Sequence, residues 1–247
     1  MENTASAALV TGSTSGIGRA TALALARAGM PVVVHGRDAG RGREVCAEIE
    51  AGGGRATLML ADLADAAQTR RLAEDAAKLD GGIGVLVNNA CEPGGWASTA
   101  DTPLPELETR TAVNLRAPFL LTAILAPLMA ARGEGVIVNV TMAAASKAIP
   151  GTAWTSATKA GLESLTRSWA AEYGPSGVRV NTVSPGVVLT PANAGLRDAM
   201  QAFAGTTPAQ RPAEAEEVAG VIAFLASPAA SFVYGANLRV DGGMLVV

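Results

Sequence analysis

A single α/β domain, built on a parallel sheet of about seven strands and doubly wound by helices on its two faces, is the fold class that the sequence predicts. Three observations carry this reading. Short β-branched runs alternate along the whole chain with alanine- and leucine-rich stretches of helical length. The runs are near-continuously apolar instead of alternating, which is the pattern of strands covered on both faces. Finally, 247 residues with 49% apolar and 17% charged side chains suffice for one large core, and no linker, repeat or low-complexity tract divides them. Such an alternation implies right-handed crossovers, with ligands bound at the carboxyl ends of strands near a switch in strand order.

The elements follow in order. Strands are expected in AALVTG, PVVVHG, ATLML, GVLVNNA, GVIVNV, VRVNTVSPG and NLRV. Helices are expected from about Gly16 to Ala28, Arg43 to Ala51, Ala66 to Leu79, Glu106 to Ala131, Thr152 to Tyr173 and Glu214 to Ala226. The segment 191–212, rich in small residues and carrying prolines, is expected to be a mobile lid over a substrate.

Charge and cysteine content narrow the partners. A net charge of −3, a pI near 5.3 and scattered Lys and Arg residues offer no basic field for nucleic acid, so small molecules remain. Cys46 and Cys91 sit in no CxxC or Cys/His pattern with metal-ligand spacing, so no metal is expected and a reducing cytoplasm fits. The opening MENTASAALVTG has no basic segment followed by an apolar core, and no run is read as long enough to span a bilayer; no membrane association is expected.

The chemistry starts where the first strand runs into TGSTSGIGRA. Gly12, Gly16 and Gly18 let the backbone turn tightly and approach a phosphate, and the helix that follows offers unpaired N–H groups and a positive dipole end to a pyrophosphate. An ordinary strand-to-helix turn would use similar residues, so the turn alone does not decide the function. The second strand ends in VVVHGRD. An acidic residue there would accept hydrogen bonds from a free ribose 2′-hydroxyl, but the place holds Gly36, followed by Arg37, whose guanidinium suits a 2′-phosphate. NADP(H) is therefore expected over NAD(H). The competing account of Arg37 is a solvated surface residue beside Asp38, and Arg19 is a second candidate for the phosphate.

TGSTSGIG, NNAC at Asn88 to Cys91, VNL around Asn114, VSPGVVLT at Val183 to Thr190 and LRVDGG at Leu238 to Gly243 together resemble the short-chain dehydrogenase/reductase family, in register almost to the C-terminus. The resemblance implies a Rossmann fold and a cofactor site formed by Gly12, Ser13, Thr14, Ser15, Gly16, Ile17, Gly18, His35, Arg37, Asp62, Leu63, Asn88, Asn89, Ala90, Cys91, Lys159, Pro185, Gly186, Val188 and Thr190. Asp62 and Leu63 would flank the adenine, and His35 would neighbour the ribose or adenine. The long helices Glu106 to Ala131 and Thr152 to Tyr173 would pair subunits, so a homotetramer or dimer is expected.

The same resemblance exposes a gap. The family places a serine thirteen residues before a tyrosine, and the tyrosine four before a lysine; with Lys159 as anchor, these places hold Met142 and Thr155, while Asn114 keeps its separation of twenty-eight from Met142. The family's tyrosine hydroxyl is the acid for the developing oxyanion, its lysine lowers the tyrosine pKa, and its serine holds the oxygen. Threonine is no comparable acid, and methionine supplies only flexible apolar surface and a weak acceptor. Ordinary ketone reduction is therefore doubtful. An imine or strongly activated carbonyl escapes the loss, because an iminium carbon is already cationic. The alternatives are a cofactor-binding scaffold or cyclase without net redox, and a non-catalytic subunit beside an active relative.

Trp96, Met142, Trp154 and Phe203 would fall around the mouth of the site and suggest a bulky hydrophobic substrate. Trp154 equally suits a subunit interface. Ser156 and Lys159 spell SxxK, a hydrolase signature on other folds, and chance spacing accounts for it.

Overall fold

The computed structural model describes residues 6–93 and 97–246. Seven strands form one parallel sheet in the order β3-β2-β1-β4-β5-β6-β7. They are β1 (Ala7–Val10), β2 (Val32–Gly36), β3 (Ala56–Leu60), β4 (Ile83–Asn88), β5 (Gly135–Val140), β6 (Val178–Pro185) and β7 (Asn237–Val240). The order reverses between β1 and β4, which lie side by side and open a crevice at their carboxyl ends.

Successive strand residues feed opposite faces. Ala8 and Val10 of β1 join one core with Leu23 and Leu25 of α1 (Gly16–Arg27), Val45 and Ile49 of α2 (Ala39–Ala51), and Ile222 and Leu225 of the last long helix, Ala215–Ala226. Ala7 and Leu9 join the other core with Leu72 and Ala76 of α3 (Ala66–Ala77), Leu121, Leu125 and Met129 of the helix Ala117–Arg132, and Leu162 and Trp169 of the helix Ala153–Tyr173. A strand that supplies two cores needs apolar residues at every position, which is why the inner strands read as continuous runs. The outer strands depart from that expectation: β3 and β7 are only partly buried, because each has a single neighbour in the sheet.

Three helix boundaries also differ from the sequence reading. α2 starts at Ala39, ahead of Arg43, because the Asp38 carboxylate caps it by accepting from the N–H groups of Gly40 (2.8 Å) and Arg41 (3.1 Å). The helix expected from Glu106 to Ala131 divides into α4 (Leu104–Thr111), a π-helical turn at Ala112–Arg116, and α5 (Ala117–Arg132). Pro118 cannot donate a backbone hydrogen bond, so the chain enters α5 through a wider turn, and that turn carries Asn114. The continuous stretch Leu104–Arg132 is long and apolar enough by composition to cross a membrane, contrary to the sequence reading, but half of its apolar window is buried in this fold. Within 191–212, a 3₁₀ turn at Pro191–Leu196 leads into α6 (Arg197–Ala204), where the sequence reading expected only a loop. The helix Ala153–Tyr173 is α7 below, and Ala215–Ala226 is α8.

Candidate active site

The glycine-rich turn is shaped for a close approach. Gly12 has φ +64, and a Cβ on Gly18 would lie 2.2 Å from the Gly12 carbonyl oxygen, so only glycine fits there. Ser15, the residue before α1, is extended and makes no side-chain cap, leaving the first N–H groups of the helix open toward the crevice. Across that crevice stands Thr190, whose methyl would be 3.1 Å from a Cβ on Gly16. Gly16 and Thr190 thus face each other across the groove, with Thr14, Ser15 and Ile17 beside Gly16 in the chain and Pro185, Gly186 and Val188 in the segment leading to Thr190. Gly186 is wedged against Asp241, where a Cβ would lie 2.7 Å from its Cα. This cradle, with its open helix end, fits a dinucleotide pyrophosphate.

Several residues expected to touch the cofactor have side chains that turn inward instead. His35 is 2% exposed, beneath the turn: Nδ1 accepts from the Gly12 N–H at 3.1 Å and Nε2 lies 3.2 Å from the Ala61 carbonyl, which fixes a neutral ring with its proton on Nε2. Burial pushes its pKa down to about 4. Ser13 is fully buried and accepts from the His35 N–H at 2.9 Å. The Asn89 amide donates to the Thr11 carbonyl at 2.8 Å and the Gly12 carbonyl at 3.2 Å, tying the end of β4 to the turn. Asn88 is buried and donates to Asn139 at 2.8 Å. Leu63 packs in the core, while Asp62 accepts from the Ala64 N–H at 3.0 Å. For His35 and Asn89 the physical reason is the same: the opened turn leaves the Thr11 and Gly12 backbone groups without partners of their own, and these side chains supply them. Ala90 packs against the turn, where a Cβ on Gly12 would lie 2.9 Å from its Cα, and Cys91 is exposed.

At the end of β2, Arg37 is exposed and makes no hydrogen bond or ion pair among the described residues. Arg19 is paired with Glu48 on the surface. Gly36 is buried under Thr14: a Cβ at position 36 would lie 2.5 Å from the Thr14 methyl. An acidic side chain at this place would therefore require Thr14 to move.

The second half of the site collects at the carboxyl ends of β4 and β5. Asn114, fully buried in the π turn, accepts from the Glu92 N–H at 2.8 Å and donates to the Glu92 carbonyl at 3.1 Å and Thr158 Oγ1 at 3.3 Å. Thr155, in the first turn of α7, donates its hydroxyl proton to the Pro93 carbonyl at 3.0 Å. Lys159, one turn later and 3% exposed, donates to the Val140 carbonyl at 2.9 Å. Met142 follows β5 and packs with Ala143, Ala144 and Met244. Asn114 and Thr155 both hold the Glu92–Pro93 segment, and Lys159, one turn after Thr155, reaches the last carbonyl of β5, the strand that Met142 follows. Ser156 does not fill the gap, since its hydroxyl donates to the Ala144 carbonyl at 3.2 Å.

The expected aromatic mouth is only partly assembled. The Trp154 indole N–H donates to the Leu107 carbonyl at 3.1 Å and Thr111 Oγ1 at 3.0 Å, which turns this half-buried ring onto α4 of its own chain. Phe203 lies on α6 with 40% of its surface exposed. Trp96 lies outside the described residues. No group of acidic, histidine or cysteine residues among those described could hold a metal ion.

A family model described as enoyl-(acyl carrier protein) reductase matches residues 12–245. A solved structure described as a short chain dehydrogenase/reductase family protein is 46% identical, with a TM-score of 0.90 and full coverage of both chains. The chain belongs to the short-chain dehydrogenase/reductase family. Among curated members, the 3-oxoacyl-[acyl-carrier-protein] reductase of Synechocystis is 40% identical over 98% of both chains. A 3-oxoacyl (acyl-carrier-protein) reductase from Agrobacterium tumefaciens, solved with NADP bound, is 32% identical, with a TM-score of 0.92 over 96% of this chain and 93% of the other. This member of the short-chain dehydrogenase/reductase family carries its glycine turn and its lysine helix on one doubly wound domain.

Two features of the site escaped the sequence reading. The contact between Thr14 and Gly36 joins residues that only the β1–β2 pairing brings together. The segment Glu92–Pro93 was passed over because no motif marks it, although it directly follows NNAC.

Proposed function

We propose that this chain is an NADP(H)-dependent reductase that delivers hydride to an acceptor already activated, an imine or a strongly activated carbonyl, on a bulky hydrophobic small molecule. One observation supports this reading above the others: at the place of the family's acid stands Thr155, and its hydroxyl proton is given to the Pro93 carbonyl. The nicotinamide, when bound, supplies the hydride. The chain's own residues would hold and orient it: the open end of α1 would receive the pyrophosphate, Arg37 the 2′-phosphate, and Lys159, now bonded to the Val140 carbonyl, would donate to the ribose hydroxyls.

The energetics permit turnover without the acid. General acid catalysis contributes about 10²- to 10⁴-fold, roughly 3 to 5 kcal/mol, whereas holding the reactants in line contributes about 7 to 11 kcal/mol. An iminium carbon forfeits nothing, since hydride neutralises its charge and no oxyanion forms. Met142 offers that carbon an apolar neighbour where the family's serine would hold an oxygen.

The test is NADPH oxidation with matched panels of plain ketones, diketones and cyclic imines. Turnover of the imines or activated carbonyls with little turnover of plain ketones is expected. Rapid turnover of plain ketones overturns the reading. Inertness to every class, with NADPH binding intact, identifies a cofactor-binding scaffold or cyclase instead, and copurification with an intact relative identifies a supporting subunit.

A further inference from the structure

Thr155, Lys159 and Glu163 recur at intervals of four along α7 and so share one face of it. Thr155 holds the Pro93 carbonyl and Lys159 the Val140 carbonyl. Glu163, half-buried one turn further on, forms no ion pair among the described residues. Its Oε1 instead accepts from Thr141 Oγ1 at 3.1 Å and from Ser184 Oγ at 3.2 Å. Those two hydroxyls are buried and lie 2.6 Å apart, so the carboxylate joins α7 to the ends of β5 and β6. What Glu163 holds is next to what Lys159 holds. The Val140 carbonyl and the Thr141 N–H belong to one peptide unit, which is planar and rigid. Its carbonyl accepts from Lys159 at 2.9 Å, its N–H donates to the Val183 carbonyl at 2.9 Å, and the hydroxyl just beyond it is fastened to Glu163. Tied to β6 through its N–H and to α7 through the Thr141 hydroxyl, the unit presents its carbonyl in a set direction.

We infer that Glu163 is a positioning residue for Lys159, acting through Thr141 and the peptide unit that Thr141 shares with Val140. The inference rests on the cofactor-binding part of the reading above and not on the choice of acceptor. A lysine ammonium rides on a flexible four-carbon stem, and fixing it in one pose costs rotamer entropy at the moment a ligand binds. A carbonyl held in place removes part of that cost in advance. It occupies one of the three N–H groups and leaves two for the ribose hydroxyls. Without the Glu163 acceptor, Thr141 is tied only to β6, the Val140 carbonyl is free to drift from α7, and Lys159 loses the fixed partner that aims it.

The experiment is a fluorescence titration of NADPH into the full chain carrying Glu163, Glu163→Leu or Glu163→Gln, each with Lys159 present and with Lys159→Met. Glu163→Leu is expected to weaken NADPH roughly three- to tenfold, the equivalent of one hydrogen bond. Glu163→Gln keeps an oxygen for Thr141 and should bind within about twofold of the wild type. With Lys159→Met, Glu163→Leu should cause no further loss, because there is no ammonium left to aim. An equal loss in both backgrounds identifies a merely structural role and overturns the inference. So does a folded Glu163→Leu protein that binds NADPH as tightly as the wild type, and that result leaves the reductase reading standing. Conversely, the expected pattern of affinities in a protein that turns over no acceptor overturns the reductase reading and keeps the role of Glu163. Should Glu163→Leu not fold, Thr141→Val carries the test from the other end of the same hydrogen bond: the same Lys159-dependent weakening is expected, and unchanged affinity overturns the inference.

Discussion

The hydroxyl of Thr155 and the carbonyl of Pro93 meet at 3.0 Å, so Thr155 acts as a latch on the loop after β4. Replacing Thr155 by Val removes the donor and leaves the Pro93 carbonyl without it. We expect a loss of about 1 to 2 kcal/mol of stability by denaturant titration, with NADPH affinity unchanged. A large loss of NADPH affinity would show instead that position 155 contacts the cofactor.

Restoring the missing pair is the complementary experiment. Met142→Ser combined with Thr155→Tyr should create measurable NADPH-dependent reduction of plain ketones, because it restores an interaction made mainly in the transition state. Lys159→Ala in that background should abolish it. Folding and NADPH binding are checked first, since tyrosine must displace the Thr155 contact with Pro93. A folded, NADPH-binding double variant with no ketone turnover would mean that more than the acid and the oxygen ligand is missing.

We expect cofactor choice to be decided at the end of β2. Charge-assisted hydrogen bonds contribute about 1.5 to 3 kcal/mol, so Arg37→Ala should weaken NADPH by roughly 10- to 100-fold and leave NADH unchanged. Fluorescence titration with both nucleotides measures this, and equal affinities for the two in the wild type would refute it. Gly36→Asp alone should bind NADH poorly, because the new side chain meets the Thr14 methyl; adding Thr14→Ala should rescue it.

His35 gives the protein an acid-side weakness. Its pKa falls from 6.5 in the unfolded chain to about 4 in the fold, through burial, so the unfolded chain takes up the proton first as pH drops. The stability contributed by the neutral ring is fully present above 6.5 and is lost progressively toward 4, by about 3 kcal/mol over that window. Urea titrations at neutral pH and near pH 4.5 should show this loss, and His35→Gln should flatten it. An unchanged slope in the variant would assign the acid sensitivity to other groups.

Assembly is the last expectation. Phe119 (48% exposed) and Leu128 (44% exposed) stand on α5, and Phe119 leans on Trp169 of α7 with ring centroids 6.1 Å apart. Apolar exposure along α5 is what leads us to expect a second copy, as a dimer or tetramer. Light scattering at micromolar concentration should report an oligomer, and Phe119→Glu with Leu128→Glu should reduce it to monomer. A wild-type monomer would contradict the expectation.

The fold was legible because its signals are local and repeated: apolar runs such as those around Leu9 and Ile137 occur at every buried strand, and the glycine turn marks the first crossover. The boundaries were less so, since the α2 start depends on one Asp38 carboxylate and the π turn on Pro118 displacing a backbone bond. The site was half legible. Spacing from Lys159 singled out Asn114, Met142 and Thr155 in the chain, but spacing carries no information on where a side chain points, so the inward-turned side chains of Ser13, His35 and Asn89 were not anticipated. Glu92 and the Thr14 contact with Gly36 arise only from long-range packing.

Asn88 donates to Asn139 (2.8 Å), Asn139 donates to Thr166 (2.8 Å), and Thr182 also donates to Thr166 (2.9 Å), whose own proton ends on the Leu162 carbonyl (2.9 Å). The arrows all run one way and terminate on a helix backbone, so changing one member strands its neighbour in a dry interior. Drift at these positions must therefore be concerted: Asn139→Leu alone is costly, whereas an apolar block placed at Asn88, Asn139 and Thr182 together leaves no orphan among the side chains and keeps the Thr166 bond to Leu162. For anyone redesigning this scaffold, the four residues form one indivisible choice, and that choice leaves the residues of the glycine turn and Lys159 itself unchanged.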